Sequence, residues 1–189
     1  MSPKNSLELL KTMIHEQAPV RTRRSLGFLP GGDSIPLRAG QLIEVLGEGR
    51  GAWCIRLLQG QRELRAAWAL ASRLDLFPMG IAQEGVALEQ ILFLEQVPPE
   101  QGMDILLQLL RSSLFGAVVF ERELLPRQRQ DAQIRKMQLV AEEAGSMMVL
   151  LSARPTVSFG VNVRVEIDAG GGMRLDKIKV NQIKGGSFA

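Results

Sequence analysis

The sequence predicts an α/β fold, with a mostly parallel central sheet, helices on both faces and an antiparallel hairpin at the C-terminal end. From residue 41 onward, short apolar segments alternate with amphipathic ones, which is typical of parallel strands covered on both faces. Two segments of alternating apolar and polar residues, 161–167 and 175–182, flank the glycines at 170–172. The length of 189 residues corresponds to one domain with a substantial core.

The N-terminal part of the chain predicts an isolated amphipathic helix at residues 6–17, with Ser6 as a candidate cap. Its apolar stripe comprises Leu7, Leu9, Leu10, Met13 and Ile14. Residues 18–37 are rich in proline and glycine and predict a linker. We therefore divide the chain into an N-terminal helix and linker, 1–37, and a core, 38–189. The stripe must be covered either by the chain's own core or by a partner.

Strands and helices alternate through the core. In chain order, the sequence predicts strands at 42–46, 66–71, 91–94, 117–120 and 147–151, and helices at 52–63, 98–112 and 130–144. The helix at 98–112 begins with Pro98 and Pro99, which fit a first turn. Gly145 ends the helix at 130–144. Alanine weakens the prediction for the strand at 66–71. A strand followed by a helix, repeated in this way, favours a largely parallel sheet.

A glycine-rich turn at residues 47–51 joins the first core strand to its helix. A strand, a glycine turn and a helix are the layout of a phosphate-binding loop, whose pattern is G-x-x-x-x-G-K-[ST]. Between Gly47 and Gly51 the loop is one residue short, and Ala52 and Trp53 stand where the Lys and the Ser or Thr belong. That lysine contacts the terminal phosphates and the hydroxyl binds magnesium, so both reasons for an ATP site are lost. A degenerate ATP site and an ordinary tight turn both remain open interpretations.

The composition excludes several kinds of chemistry. A single cysteine, Cys54, rules out an internal disulfide and a cysteine-cluster zinc site. The single histidine, His15, is expected to be a solvated helix residue, so we expect neither a metal site nor histidine-based catalysis. The sequence contains no apolar run of membrane-spanning length and no secretory apolar core near Met1, which predicts a cytoplasmic protein.

Basic residues are clustered although the net charge is only +3. The candidate DNA-binding residues are Arg21, Arg23, Arg24, Arg127, Arg129, Lys177, Lys179 and Lys184. Such clusters suggest an acidic partner, nucleic acid foremost, and solvated faces are the alternative. The chain has no tyrosine, and its two tryptophans are not interleaved with the clusters, so a stacking platform for single strands is not expected.

Four segments, taken in order, resemble the core of the bacterial recombinase RecA over about residues 26–186. They are 36–45, 85–92, 115–121 and 179–186. The chain resembles the ImuA family better than the recombinase itself. ImuA proteins are short RecA-like accessory proteins of bacterial mutagenesis cassettes, and the cell-division inhibitor SulA is related to them. This resemblance implies a RecA-like three-layer sandwich. It also implies a degenerate Walker A loop at Gly47, Gly49, Arg50 and Gly51 and a relic of the Walker B acid at Glu121.

The function implied by the resemblance is non-catalytic. We expect an accessory protein of the DNA damage response that links RecA or DNA to an error-prone, Y-family translesion polymerase complex. Leu7, Leu10 and Ile14 are expected to contact the partner. Weak non-specific DNA binding is also expected. We expect no cofactor, no metal ion and no association with a membrane. Residues 68–73, at the end of the second core strand, lack the acid that orients water in ATPases of this kind. The short segment 152–160 argues against strand exchange.

Two alternative functions remain. One is a SulA-like cell-division inhibitor that binds FtsZ, which overexpression would reveal as filamentous cells. The other is an ATPase with a non-standard loop, in which Arg50 replaces the lysine and binds phosphate through its guanidinium.

Overall fold

The computed structural model describes residue 26 and residues 28–30, 32–59, 64–73, 78–126 and 128–178. The predicted N-terminal helix at 6–17 lies outside these residues. So do Arg21, Arg23, Arg24, Arg127, Lys179 and Lys184. Predictions that concern them therefore stay predictions.

Most strands belong to one seven-stranded sheet within the described residues. The strands in the described part of the chain are β1 (Phe28–Leu29), β2 (Gly32–Pro36), β3 (Leu42–Leu46), β4 (Ala66–Ala69), β5 (Ile91–Leu94), β6 (Ala117–Glu121), β7 (Met147–Leu151), β8 (Val163–Ile167) and β9 (Met173–Ile178). Their order across the large sheet is β5-β4-β6-β7-β3-β8-β9. Neighbouring strands pair in parallel except β8 and β9, which form the predicted antiparallel hairpin.

Helices cover both faces of this sheet. They are α1 (Arg50–Gln59), α2 (Pro78–Gln83), α3 (Pro99–Arg111) and α4 (Gln130–Ala144), with short 3₁₀ turns at Leu88–Gln90 and Arg122–Leu124. Buried residues of α1 and α2 pack in one apolar cluster, and those of α3 and α4 pack in a second. Alternate residues of the central strands enter the two clusters: Val119 joins the first, whereas Val118 and Phe120 join the second. This is the predicted three-layer arrangement, because side chains of a strand alternate between its two faces.

Residues 28–36 differ from the sequence prediction, which placed them in a linker. β1 and β2 form a separate antiparallel hairpin, in which Phe28 lies opposite Pro36 and Leu29 opposite Gly32. Leu26 and Leu29 are buried in the same cluster as α1. Proline and glycine are as typical of a hairpin turn as of a linker, and the leucines beside them are the signal that favours the hairpin.

The boundaries of the core elements agree closely with the sequence. The strands at 91–94 and 147–151 and the helix at 130–144 have the predicted limits. Helix α1 begins at Arg50, two residues earlier than predicted, and β4 ends at Ala69, two residues before the predicted limit. The short helix α2 was not predicted.

The parallel strands bring their carboxyl ends to one edge of the sheet. The segments that follow β3, β4, β6, β7 and β8 therefore lie together there, where open α/β sheets usually bind ligands. This edge holds the candidate site. None of the helices in the described ranges is long and apolar enough to cross a membrane.

Candidate functional site

The glycine loop, residues 47–51, packs against the end of the neighbouring strand β8. Gly47 has a φ of +90°, and a Cβ added there would lie 1.9 Å from the carbonyl oxygen of Ile167. A Cβ on Gly49 would lie 2.4 Å from Cγ2 of Ile167 and 2.7 Å from the carbonyl oxygen of Asp168. Glycine is therefore required at both positions because the loop backbone lies against the end of β8. At Gly47 it is also required by the positive φ.

Arg50, the first residue of α1, turns back toward this loop. Its Nη1 donates a hydrogen bond of 3.0 Å to the carbonyl oxygen of Gly47. The next two side chains diverge, because Ala52 is exposed whereas Trp53 is buried in the core. The side chain of residue 53, where a phosphate loop has its magnesium-binding hydroxyl, is thus an apolar packing element.

Cys54 lies one turn into α1 and is fully buried. Burial raises the pKa of its thiol well above the usual range, and the nearby Arg50 only partly opposes this shift. Because the thiolate is the reactive form, the Cys54 thiol is not a nucleophile.

Glu121 ends β6 and binds the end of the adjacent strand β4. One carboxylate oxygen accepts hydrogen bonds from the backbone amides of Ala71 at 2.8 Å and Ser72 at 3.0 Å. The other oxygen accepts a hydrogen bond of 2.7 Å from the Ser72 hydroxyl. The predicted Walker B relic therefore joins two strand ends, with both of its oxygens engaged.

A buried ion pair links β3 to β8 beneath the same edge. The Glu44 side chain is inaccessible to solvent, and its Oε2 lies 2.6 Å from Nε of Arg164 on β8. Its other oxygen accepts a hydrogen bond of 2.8 Å from the backbone amide of Thr156. Arg164 in turn donates to the carbonyl oxygen of Thr156 at 2.6 Å and lies 3.5 Å from Asp176 on β9. Both charges are thus compensated, and they hold the segment after β7 in place.

The β7–β8 loop, residues 152–162, is attached at several points. The Ser152 hydroxyl donates to the carbonyl oxygen of Arg154. Asp131, at the start of α4, accepts hydrogen bonds from the Ser158 hydroxyl at 2.5 Å and from the Phe159 amide at 3.1 Å. Gln138, further along α4, donates to the carbonyl oxygen of Gly160 at 2.9 Å.

Among the candidate DNA-binding residues, the structure places few. Arg129 is exposed immediately before α4 and has a left-handed backbone with φ of +54°. Lys177 lies in β9, and only its backbone is described. Within the described ranges, no group of three or more His, Cys, Asp or Glu side chains is arranged to hold a metal ion.

Sequence reasoning missed the Glu44–Arg164 pair. The signal was available, because Glu44 is a single acid in the apolar segment Leu-Ile-Glu-Val-Leu. An acid in a strand buried on both faces requires a cationic partner. The register places Arg164 directly beside Glu44 on the adjacent strand. The partner itself lies 120 positions away and was not identifiable from local pattern.

Comparison with solved structures finds a distant likeness. No family model matches the chain, and neither does any curated protein. Among solved structures, SulA from Pseudomonas aeruginosa is similar with a TM-score of 0.46 and 17% sequence identity. The match covers 59% of this chain and 98% of that chain. A likeness at this level carries no conclusion about function.

Proposed function

We propose that this protein is a non-catalytic accessory protein of the DNA damage response. It links RecA or DNA to an error-prone translesion polymerase complex of the Y family. It uses no cofactor and acts by binding. The glycine loop that follows β3 does not serve nucleotide hydrolysis.

The packing of the glycine loop supports the non-catalytic part of this proposal. The damage-response part rests on the resemblance of residues 26–186 to RecA-like accessory proteins. A phosphate loop needs space beside its backbone amides, a lysine directed at the phosphates and a hydroxyl for magnesium. In this chain Gly47 and Gly49 approach Ile167 closely, and Arg50 donates to the carbonyl oxygen of Gly47. The loop thus has a packing role that accounts for its glycines without a ligand.

The contacts of Glu121 support the same proposal. Phosphoryl transfer depends on positioned metal and charge neutralisation. Hydrogen bonds from Ala71 and Ser72 occupy three of the roughly four acceptor sites of this carboxylate, which leaves little capacity for a metal ion. The geometry therefore favours a structural role for Glu121 over metal binding.

A binding experiment with purified components tests the proposal. RecA and a Y-family polymerase-like protein are each immobilised, and retention of this protein is measured. We expect retention by at least one of them. The variants Leu10→Asp and Ile14→Asp should each abolish it, because a charge within the apolar stripe opposes docking of the predicted helix. Thr12→Asp is the matched control, since the same change falls on the polar side of the predicted helix.

The outcomes are separable. Retention that both stripe variants leave unchanged would remove the N-terminal helix as the contact, while the function stands. Failure to bind either partner would contradict the function itself. Filamentous cells on overexpression, together with binding to FtsZ, would favour the cell-division inhibitor instead.

A further inference from the structure

In segment 156–159 of the β7–β8 loop, the polar side chains are buried and the apolar ones are exposed. Thr156 and Ser158 are buried, whereas Val157 is 94% exposed and Phe159 is 79% exposed. Val157 and Phe159 therefore both face solvent. Exposed large apolar side chains beside buried polar ones are the arrangement that most often signals an interaction surface.

This outward arrangement is held by the fold rather than by chance orientation. The backbone amide of Thr156 donates to Glu44, which is itself paired with Arg164. Asp131 accepts hydrogen bonds from both the Ser158 hydroxyl and the Phe159 amide. The segment is therefore attached to the sheet on one side and to α4 on the other. A surface ordered before binding loses little conformational entropy when a partner docks.

Exposed arginines lie close to this segment in the sequence and on the part of α4 to which it is bonded. Arg154 is exposed three residues before Val157, and Arg129 is exposed two residues before Asp131. Arg135 is exposed one helical turn after Asp131 and lies on the same side of α4. Asp131 itself is engaged with the loop. An acidic partner would therefore complement this surface.

We propose that Val157 and Phe159, flanked by Arg129 and Arg154, form a docking surface for an acidic protein segment that carries apolar side chains. A protein fits better than single-stranded nucleic acid, because the most exposed side chain, Val157, is aliphatic and offers no face for base stacking. An aliphatic and an aromatic side chain instead suit apolar pockets on a protein. The residues of this surface do not include those of the predicted N-terminal helix.

Selection of peptides from a displayed random library tests this surface. The intact protein is the bait, and selected peptides are then synthesised and titrated. We expect the peptides to be acidic with apolar residues. They should bind the Val157→Ser/Phe159→Ser variant about tenfold more weakly or worse, as expected for loss of central contacts. Arg129→Glu/Arg154→Glu should weaken binding as well, and added salt should weaken binding to the wild type.

Met79→Ser is the matched control, because it replaces another exposed apolar side chain, on α2. It should leave peptide affinity unchanged, and thermal unfolding should confirm that all variants are folded. Selected peptides that are basic, or that bind the Val157/Phe159 variant as tightly as wild type, would overturn the proposal. So would a selection without enrichment. Binding of oligo-dT that the Val157/Phe159 variant abolishes would overturn it in favour of nucleic acid.

Discussion

The glycine loop and the β7–β8 loop follow adjacent parallel strands, yet they use the same edge of the sheet in opposite ways. Gly47 and Gly49 approach the end of β8, and Arg50 bonds back to the loop. The β7–β8 loop buries its polar side chains and exposes Val157 and Phe159. The contrast indicates that this edge of the sheet is suited to binding through exposed side chains rather than through backbone amides.

The Glu44–Arg164 pair connects these two loops. Glu44 lies on β3, two residues before the strand ends at the glycine loop, and it accepts a hydrogen bond from Thr156 in the β7–β8 loop. Arg164 lies on β8, whose end packs against Gly47. One buried contact thus stabilises the positions of both loops.

Glu44→Ala should have the largest effect. It removes the buried partner of Arg164, which keeps only the more distant, exposed Asp176 as an ionic neighbour, and it removes the acceptor for the Thr156 amide. We expect a loss of about 3 to 5 kcal/mol in the free energy of unfolding, measured by urea denaturation. The double variant Glu44→Leu/Arg164→Leu should recover most of this loss, because no unpaired charge is then buried. A loss below about 1 kcal/mol for Glu44→Ala would show that the pair does not support the loops.

Gly47→Ala should have the next largest effect on stability. Its Cβ would overlap the carbonyl oxygen of Ile167, and the φ of +90° is unfavourable for alanine. We expect the free energy of unfolding to fall by about 1 to 3 kcal/mol, measured by urea denaturation in nucleotide-free buffer. Gly80→Ala is the matched control, because a Cβ there has no described neighbour within 4 Å and α2 should gain about 0.5 to 1 kcal/mol. Equal effects of the two changes would contradict the packing role of the glycine loop.

Local signals explain which parts of the fold the sequence predicted. Helix α4 ends at Gly145, whose φ of +71° fits the glycine stop, and β7 is a continuous apolar segment. Helix α2 has only six residues, too few for a periodic pattern to emerge. The location of the glycine loop was predicted, but its contact with Ile167 joins residues 120 positions apart and has no local signature. The reversed exposure in segment 156–159 likewise appears only once its hydrogen bonds are known.

Asp131→Ala should have a moderate effect confined to the β7–β8 loop. It removes the acceptor for the Ser158 hydroxyl and the Phe159 amide. We expect a loss of about 1 to 2 kcal/mol in stability. Hydrogen exchange at the Phe159 amide should also become faster. Unchanged exchange at Phe159 would mean that the loop is ordered by other contacts.

Arg50→Ala should have the smallest effect. It removes one partly buried hydrogen bond to the Gly47 carbonyl oxygen. We expect a loss of about 0.5 to 1.5 kcal/mol in the free energy of unfolding. A gain in stability would show that the guanidinium is held there at a cost, as expected for a residue kept for a ligand.

Isothermal titration of the wild-type protein with ATP and magnesium tests most directly whether the glycine loop still binds nucleotide. Its packing against Ile167 and the bond from Arg50 predict no binding tighter than about 100 μM, an ordinary value for a working nucleotide site. A dissociation constant below about 100 μM that Arg50→Ala weakens would contradict the proposed non-catalytic role. It would instead favour an ATPase in which Arg50 replaces the lysine.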